Sequence, residues 1–192
     1  MLYDYRLKIM KKNFKNYINN FSLEVDNSTQ IIPDLIKFTN ILKKYNFKSN
    51  LVHIFGNGGS ASIASHFSLD LTNNTNIKCH SYNDASLITC FANDFGYENW
   101  VSKSINKYGN KNDLLILISS SGKSKNMINA VRAARKKKFY KILTLTGFER
   151  NNPLKKMGNI NLWINSNQYN LIENIHQFWL LMIVDILKSK KK

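Results

Sequence analysis

Residues 51–61 read Leu51-Val52-His53-Ile54-Phe55-Gly56-Asn57-Gly58-Gly59-Ser60-Ala61. A five-residue apolar run gives way to a loop carrying three glycines, and Ile63, Phe67, Leu69 and Leu71 then continue as a helix. The reading is strand, glycine loop, helix. It returns downstream, where Leu114-Leu115-Ile116-Leu117-Ile118 is followed by Ser119-Ser120-Ser121-Gly122-Lys123-Ser124 and a helix through Met127, Ile128, Ala130, Val131 and Ala134. Residues 140–145 and 160–164 read as further strands, and 171–187 as a long apolar-rich helix. Strands that are unbroken apolar runs and alternate with helices imply a parallel sheet covered on both faces. Upstream, residues 2–21 and 28–45 repeat apolar side chains at amphipathic-helix spacing, with Pro33 in the first turn of the second helix. The chain therefore divides into a helical N-terminal extension, 1–48, one α/β domain, 49–188, and a basic tail, 189–192.

Composition narrows the function classes. A chain of 192 residues with 43% hydrophobic and 12% aromatic content can fill one sizeable core, which excludes disorder for most of its length. There is no apolar run of membrane-spanning length, and Asp4, Arg6, Lys8, Lys11 and Lys12 interrupt the N-terminus, so neither a membrane span nor a secretory leader is expected and the expected location is cytoplasmic. Cys79 and Cys90 form no CxxC, so reduced, mostly buried thiols are expected, with no disulfide and no cysteine metal site. The net charge of +16 could serve a polyanion. The lysines are dispersed, however, and no helix-turn-helix, zinc finger or RNP-like aromatic motif accompanies them; no nucleic-acid role is expected.

Both special loops follow strands of a parallel sheet, where ligands of α/β proteins bind. The glycine loop lets backbone approach a ligand closely, with Ser60 at the start of the next helix. The serine loop sets four hydroxyls and Gly122 at a helix N-terminus, a site suited to a dianion such as phosphate. Two nucleotide readings are weaker. Gly56-x-Gly58-x-x-Ala61 has Rossmann spacing, but no acidic residue stands around 78–82, and Gly122-Lys123-Ser124 lacks the upstream glycine of a P-loop.

Taken together, the glycine loop with His66 after it, Asn93-Asp94-Phe95-Gly96-Tyr97, the serine loop 118–124 and Leu143-Thr144-Leu145-Thr146-Gly147 are similar, in order and spacing, to the phosphoheptose isomerase group of SIS (sugar isomerase) domain proteins. The resemblance spans residues 35–187. It implies a single SIS domain with a five-stranded parallel flavodoxin-like sheet, a homotetramer and a phosphorylated sugar as ligand. It assigns phosphate and sugar binding to Asn57, Gly58, Ser60, Asp94, Ser119, Ser120, Ser121 and Ser124. The implied reaction is aldose–ketose interconversion of sedoheptulose 7-phosphate or a related sugar phosphate through an enediol, with surface-polysaccharide precursors as one destination.

The chain also departs from that family. His66-x-x-x-Asp70 stands where the family has His-x-x-x-Glu, and the shorter carboxylate remains on the histidine's helical face. On the last helix, Glu173-Asn174-Ile175-His176 replaces Gln-Glu-x-His, and Leu181 occupies the position of the family's second histidine. Asn74 and Asn170 stand where a substrate-contacting arginine and aspartate are expected. Asp70, His66, Glu173 and His176 are the candidate proton-transfer residues. His66, Asp70 and Glu173 are the candidate zinc ligands, with the fourth family ligand missing, which tips the expectation against tight zinc. His53 reads as a core histidine, and an isomerase is favoured over a non-catalytic module that binds a phosphosugar or a protein partner.

Overall fold

The computed structural model describes residues 2–44 and 49–188, so the tail 189–192 and the expected helix end at Tyr45 lie outside the described residues. The chain forms two compact units, Met1–Pro33 and Asp34–Lys192. The first holds helix α1 (Leu2–Asn27), longer than the 2–21 periodicity indicated, and a 3-10 turn, Ser28–Ile31. Helix α2 (Ile32–Lys44) lies almost wholly in the second unit and buries Leu35, Phe38 and Leu42, with Pro33 tolerated in its first turn.

Five strands build the sheet: β1 (Val52–Phe55), β2 (Cys79–Ser81), β3 (Leu114–Ser119), β4 (Lys141–Thr146) and β5 (Ile160–Trp163). All pair in parallel, in the order β2-β1-β3-β4-β5. Every residue of β1 and β3 is buried, which explains why their sequences are apolar without alternation. Helices α3 (Gly59–Asn74), α4 (Ala85–Phe95), α5 (Trp100–Tyr108), α6 (Lys125–Lys136), α7 (Pro153–Met157) and α8 (Tyr169–Lys188) make the connections and outer layers. α4 and α5 have no counterpart in the sequence reading, since the 85–108 stretch offered no long periodic face. Among the described residues no helix is long and apolar enough to cross a membrane.

In this order the chain reverses direction between β1 and β3, and the crevice of such a fold opens beyond the carboxyl ends of those two strands. The glycine loop after β1 and the serine loop after β3 flank it. At the opposite end of the sheet, His53 is fully buried, as expected for a core histidine. Its Nε2 lies 2.8 Å from Asp113 Oδ2 and its Nδ1 2.7 Å from Tyr82 Oη. Burial raises the Asp113 carboxyl's pKa, but the hydrogen bonds from His53, Leu51 N–H and Asn110 N–H outweigh it and hold the group below its ordinary value. Both thiols are free. Cys79 is buried and pushed up to about 12, chiefly by desolvation, whereas Cys90, against expectation, is exposed on α4.

Candidate functional site

The serine loop begins with the last residue of β3, Ser119, and turns through a Gly122 N–H to Ser119 C=O hydrogen bond of 2.9 Å. Gly122 adopts φ +64°, and a Cβ there would run into the side-chain amide of Asn152. Asn152 is fully buried; its Nδ2 donates to Thr146 Oγ1, Gly147 C=O and Glu149 C=O. The following chain braces the loop, with Gly147 N–H donating to Ser120 C=O at 2.8 Å and Leu154 N–H to Gly122 C=O at 3.0 Å. Ser124 caps α6 by position, yet its side chain makes no capping bond; its hydroxyl instead meets Ser119 Oγ at 3.2 Å. The Ser124 hydroxyl thus leaves the start of α6 uncapped, while Met127 N–H is taken by Asn126 Oδ1 at 3.1 Å.

Ser119, Ser120, Ser121 and Ser124 line one cavity of about 100 Å³ together with Asn57 and Ser60 of the glycine loop and Tyr169 and Glu173 of α8. Ser120 is 5% exposed and its Oγ has no hydrogen-bond partner among the described residues, an orphan that an anionic oxygen in the cavity would satisfy. Asn57 is held by a reciprocal amide pair with Asn126 at 3.1 and 2.8 Å and receives the Tyr97 hydroxyl at 3.2 Å. Gly58 is the residue before α3, and its carbonyl accepts Ala61 N–H at 3.0 Å. Ser60 is buried and its Oγ donates to Glu173 Oε1 at 3.4 Å. The Glu173 carboxylate lies over Gly59, where a Cβ would have to displace the end of the glutamate side chain.

The remaining candidates divide. His66 and Asp70 pair on the exposed face of α3, Nε2 to Oδ2 3.3 Å, with side chains 46% and 32% exposed. Gln177 of α8 places its Nε2 3.4 Å from His66 Nδ1. The pair lies further along the α3–α8 seam and does not line the serine cavity. Asp94 is exposed on α4, near Asn93 Nδ2 (3.1 Å) and the Cys90 thiol (3.7 Å), and does not line the cavity either.

His176 stands apart from the other candidates. It is fully buried, its Nε2 lies 3.2 Å from the Thr146 carbonyl, its Nδ1 has no partner, and desolvation lowers its pKa to about 4. It is enclosed in the core and does not line the serine cavity.

The expected zinc set fails a geometric test. Among the described residues no three His, Cys, Asp or Glu side chains come close enough to share a metal ion. His66 and Asp70 are together, but Glu173 faces Ser60 instead. With no third ligand at the pair among the described residues, the residues present do not fit a zinc centre. Sequence reasoning did not single out Tyr169, Gln177 or Asn126. Tyr169 and Gln177 stand four residues either side of Glu173, a helical spacing that could have found them; nothing local marked Asn126.

The family profile of the SIS domain matches residues 17–147. The phosphoheptose isomerase of Buchnera aphidicola subsp. Schizaphis graminum (strain Sg) is 33% identical over 195 residues, covering 98% of this chain and 93% of that one. A solved phosphoheptose isomerase from Francisella tularensis superposes with a TM-score of 0.85 at 25% identity, over 93% of this chain and 98% of the other. One from Neisseria gonorrhoeae reaches 0.87 at 22% identity, over 94% and 99%, a likeness of fold. Five parallel strands in the expected order, two loops at the switch point and full-length similarity agree: the chain belongs to the SIS domain family, among its phosphoheptose isomerases.

Proposed function

We propose that this protein is a phosphosugar isomerase that interconverts aldose and ketose forms of sedoheptulose 7-phosphate or a related sugar phosphate. The observation that carries the reading is the serine cavity: a buried, partnerless Ser120 hydroxyl beside three further serines, at the N-terminus of α6. Neutral donors at a helix start suit a phosphate dianion without a cation. Asn57 and Ser60 support binding on the other side of the crevice, and Asp94 is the outermost candidate for a sugar hydroxyl.

Isomerisation takes a proton from C1 of the ketose while the carbonyl oxygen at C2 gains one, giving the 1,2-enediol. Return of a proton to C2, with loss of one from O1, gives the aldose. The His66–Asp70 pair is the exchangeable group on the seam beyond the phosphate cavity. Its imidazole stands between Asp70 Oδ2, 3.3 Å from Nε2, and Gln177 Nε2, 3.4 Å from Nδ1. Leu181 and the buried His176 favour the alternative, a non-catalytic phosphosugar-binding or partner-binding module.

The test is incubation with sedoheptulose 7-phosphate in heavy water, following aldose formation and exchange at C1 and C2 by NMR. Exchange with product, lost in His66→Ala and Asp70→Asn while binding persists, supports the isomerase. Binding without exchange in the unaltered protein would leave the module.

We further propose a cytoplasmic homotetramer. Met10, Phe14, Ile18 and Leu23 of α1 are all more than half exposed, and such a stripe is commonly covered by other copies. Sedimentation of the wild type and of Phe14→Glu/Ile18→Glu tests this; a monomer in both refutes it.

A further inference from the structure

At the opposite end of the sheet from the serine loop, a second cavity of about 380 Å³ lies between α2 and the amino ends of β4 and β5. That size falls within the roughly 300–1,000 Å³ of small-ligand sites. Its charge is of one sign. Lys37 and Lys44 line it from α2 and Lys141 from the first position of β4, and among the described residues no aspartate or glutamate does so. Lys44 and Lys141 make no ion pair among the described residues, and Lys37 meets Asp34 at 2.9 Å in a pair whose side chains are 64% and 43% exposed. So exposed a pair gives way readily to the charge of a ligand. The two α2 lysines are rooted two turns apart, roughly 10 Å along the helix axis. The cations are thus spread along the groove rather than gathered at one point, which suits a chain of phosphates better than a single one. The rest of the lining is not ionic. Ile41 and Ile160 add half-buried apolar surface, and the Tyr140 ring, 47% exposed, stands beside Lys141, whose Nζ is 5.7 Å from its centroid. Asn40, one turn from both α2 lysines, supplies a carboxamide, and Asn159 a second, whose Oδ1 accepts Ile142 N–H at 2.8 Å and whose Nδ2 is left as a donor.

We propose that this cavity binds a nucleoside diphosphate, with its phosphates along Lys37, Lys44 and Lys141 and its base against Tyr140, Ile41 and Ile160. The nucleotide signatures missing from the two ligand loops describe cradles of backbone; here the phosphates meet ammonium groups instead, each a charge-assisted contact. An aromatic ring and apolar side chains take the face of a base, and carboxamides can both donate and accept at its edge. No residue lines both this cavity and the serine cavity, so a nucleotide and a sugar phosphate can be bound together. The inference goes beyond the isomerase reading and does not depend on it.

The experiment is titration calorimetry of the full chain at physiological ionic strength, with ADP, AMP and inorganic pyrophosphate as probes. The wild type is expected to bind ADP about tenfold or more tighter than AMP, and tighter than pyrophosphate. Lys44→Gln/Lys141→Gln should weaken ADP binding by about tenfold or more. Lys107→Gln/Lys111→Gln removes the same charge outside the cavity and should leave it unchanged, which separates a site from the general field of a +16 chain. Tyr140→Ala should weaken ADP and spare pyrophosphate, whose continued binding also shows that the variant is folded. Absence of ADP binding, ADP no tighter than pyrophosphate, an equal loss in the two double variants, or an ADP affinity indifferent to Tyr140→Ala overturns the proposal. Saturating sedoheptulose 7-phosphate should leave the ADP affinity unchanged. Competition between them would put the nucleotide in the serine cavity and overturn the proposal, while failure of the sugar phosphate to bind bears on the isomerase reading alone.

Discussion

Replacing His176 by leucine tests the core reading of that residue, and the magnitude follows from its surroundings. Burial moves the imidazole from 6.5 to about 4, so the native state holds it neutral while the unfolded chain protonates it below pH 6.5. A native pKa below the unfolded value means that stability is complete above about pH 6.5 and is lost as the pH falls toward 4. The full loss is ~3 kcal/mol, of which ~2 kcal/mol is gone by about pH 5. Leucine is similar in size, removes the partnerless Nδ1 and leaves the Thr146 carbonyl with its bond from Ile164 N–H at 3.0 Å. At about pH 7.5 the variant should therefore lie within ~1.5 kcal/mol of the wild type. At about pH 5 it should have gained ~2 kcal/mol relative to it. Urea unfolding followed by far-UV circular dichroism at both values measures the two differences. A wild-type-minus-variant difference that does not change with pH would refute the buried, neutral histidine.

Further outcomes are expected at the site and beneath it. Ser120→Ala should weaken phosphosugar binding about tenfold, yet leave thermal stability unchanged or slightly raised, because the lost hydroxyl has no partner in the free protein; a clear drop in melting temperature would contradict this. Gly122→Ala should cost ~3 kcal/mol or more, from the φ of +64° and displacement of the buried Asn152, and should abolish phosphate binding. Unfolding and titration curves matching the wild type would count against the brace. Asp113→Ala should cost ~3–5 kcal/mol by stranding His53 and two backbone N–H groups. Since the native carboxyl titrates below its ordinary value, its stabilisation is present above that value and disappears on acidification; an acid-unfolding midpoint indifferent to Asp113→Asn would contradict the network.

The strands and both ligand loops could be read from local pattern because each is a local matter. An all-apolar run such as 114–118 reports burial on two faces, and a glycine or serine cluster at its end reports a turn into a helix. Boundaries shifted by a residue or more, as where β4 starts at Lys141 and ends at Thr146. Side-chain roles on α8 were far less legible. Glu173 and His176 are three residues apart and differ by about 60° around the helix axis, so sequence spacing made them a single pair. Packing against the sheet sends one into the cavity and the other under the Thr146 carbonyl.

The sequence by itself determined the strand–loop–helix order, the parallel sheet and the phosphate-suited serine cluster, because these depend on residues adjacent in the chain. Tertiary structure alone decided that Glu173 meets Ser60 across 113 positions, that Asn57 pairs with Asn126 and that Asn152 supports Gly122. It likewise separated Glu173 from the His66–Asp70 pair that was to share a metal ion with it. Those outcomes turn on how α3 and α8 are rotated and seated against the sheet, which is set by the burial of whole faces rather than by any local run of residues.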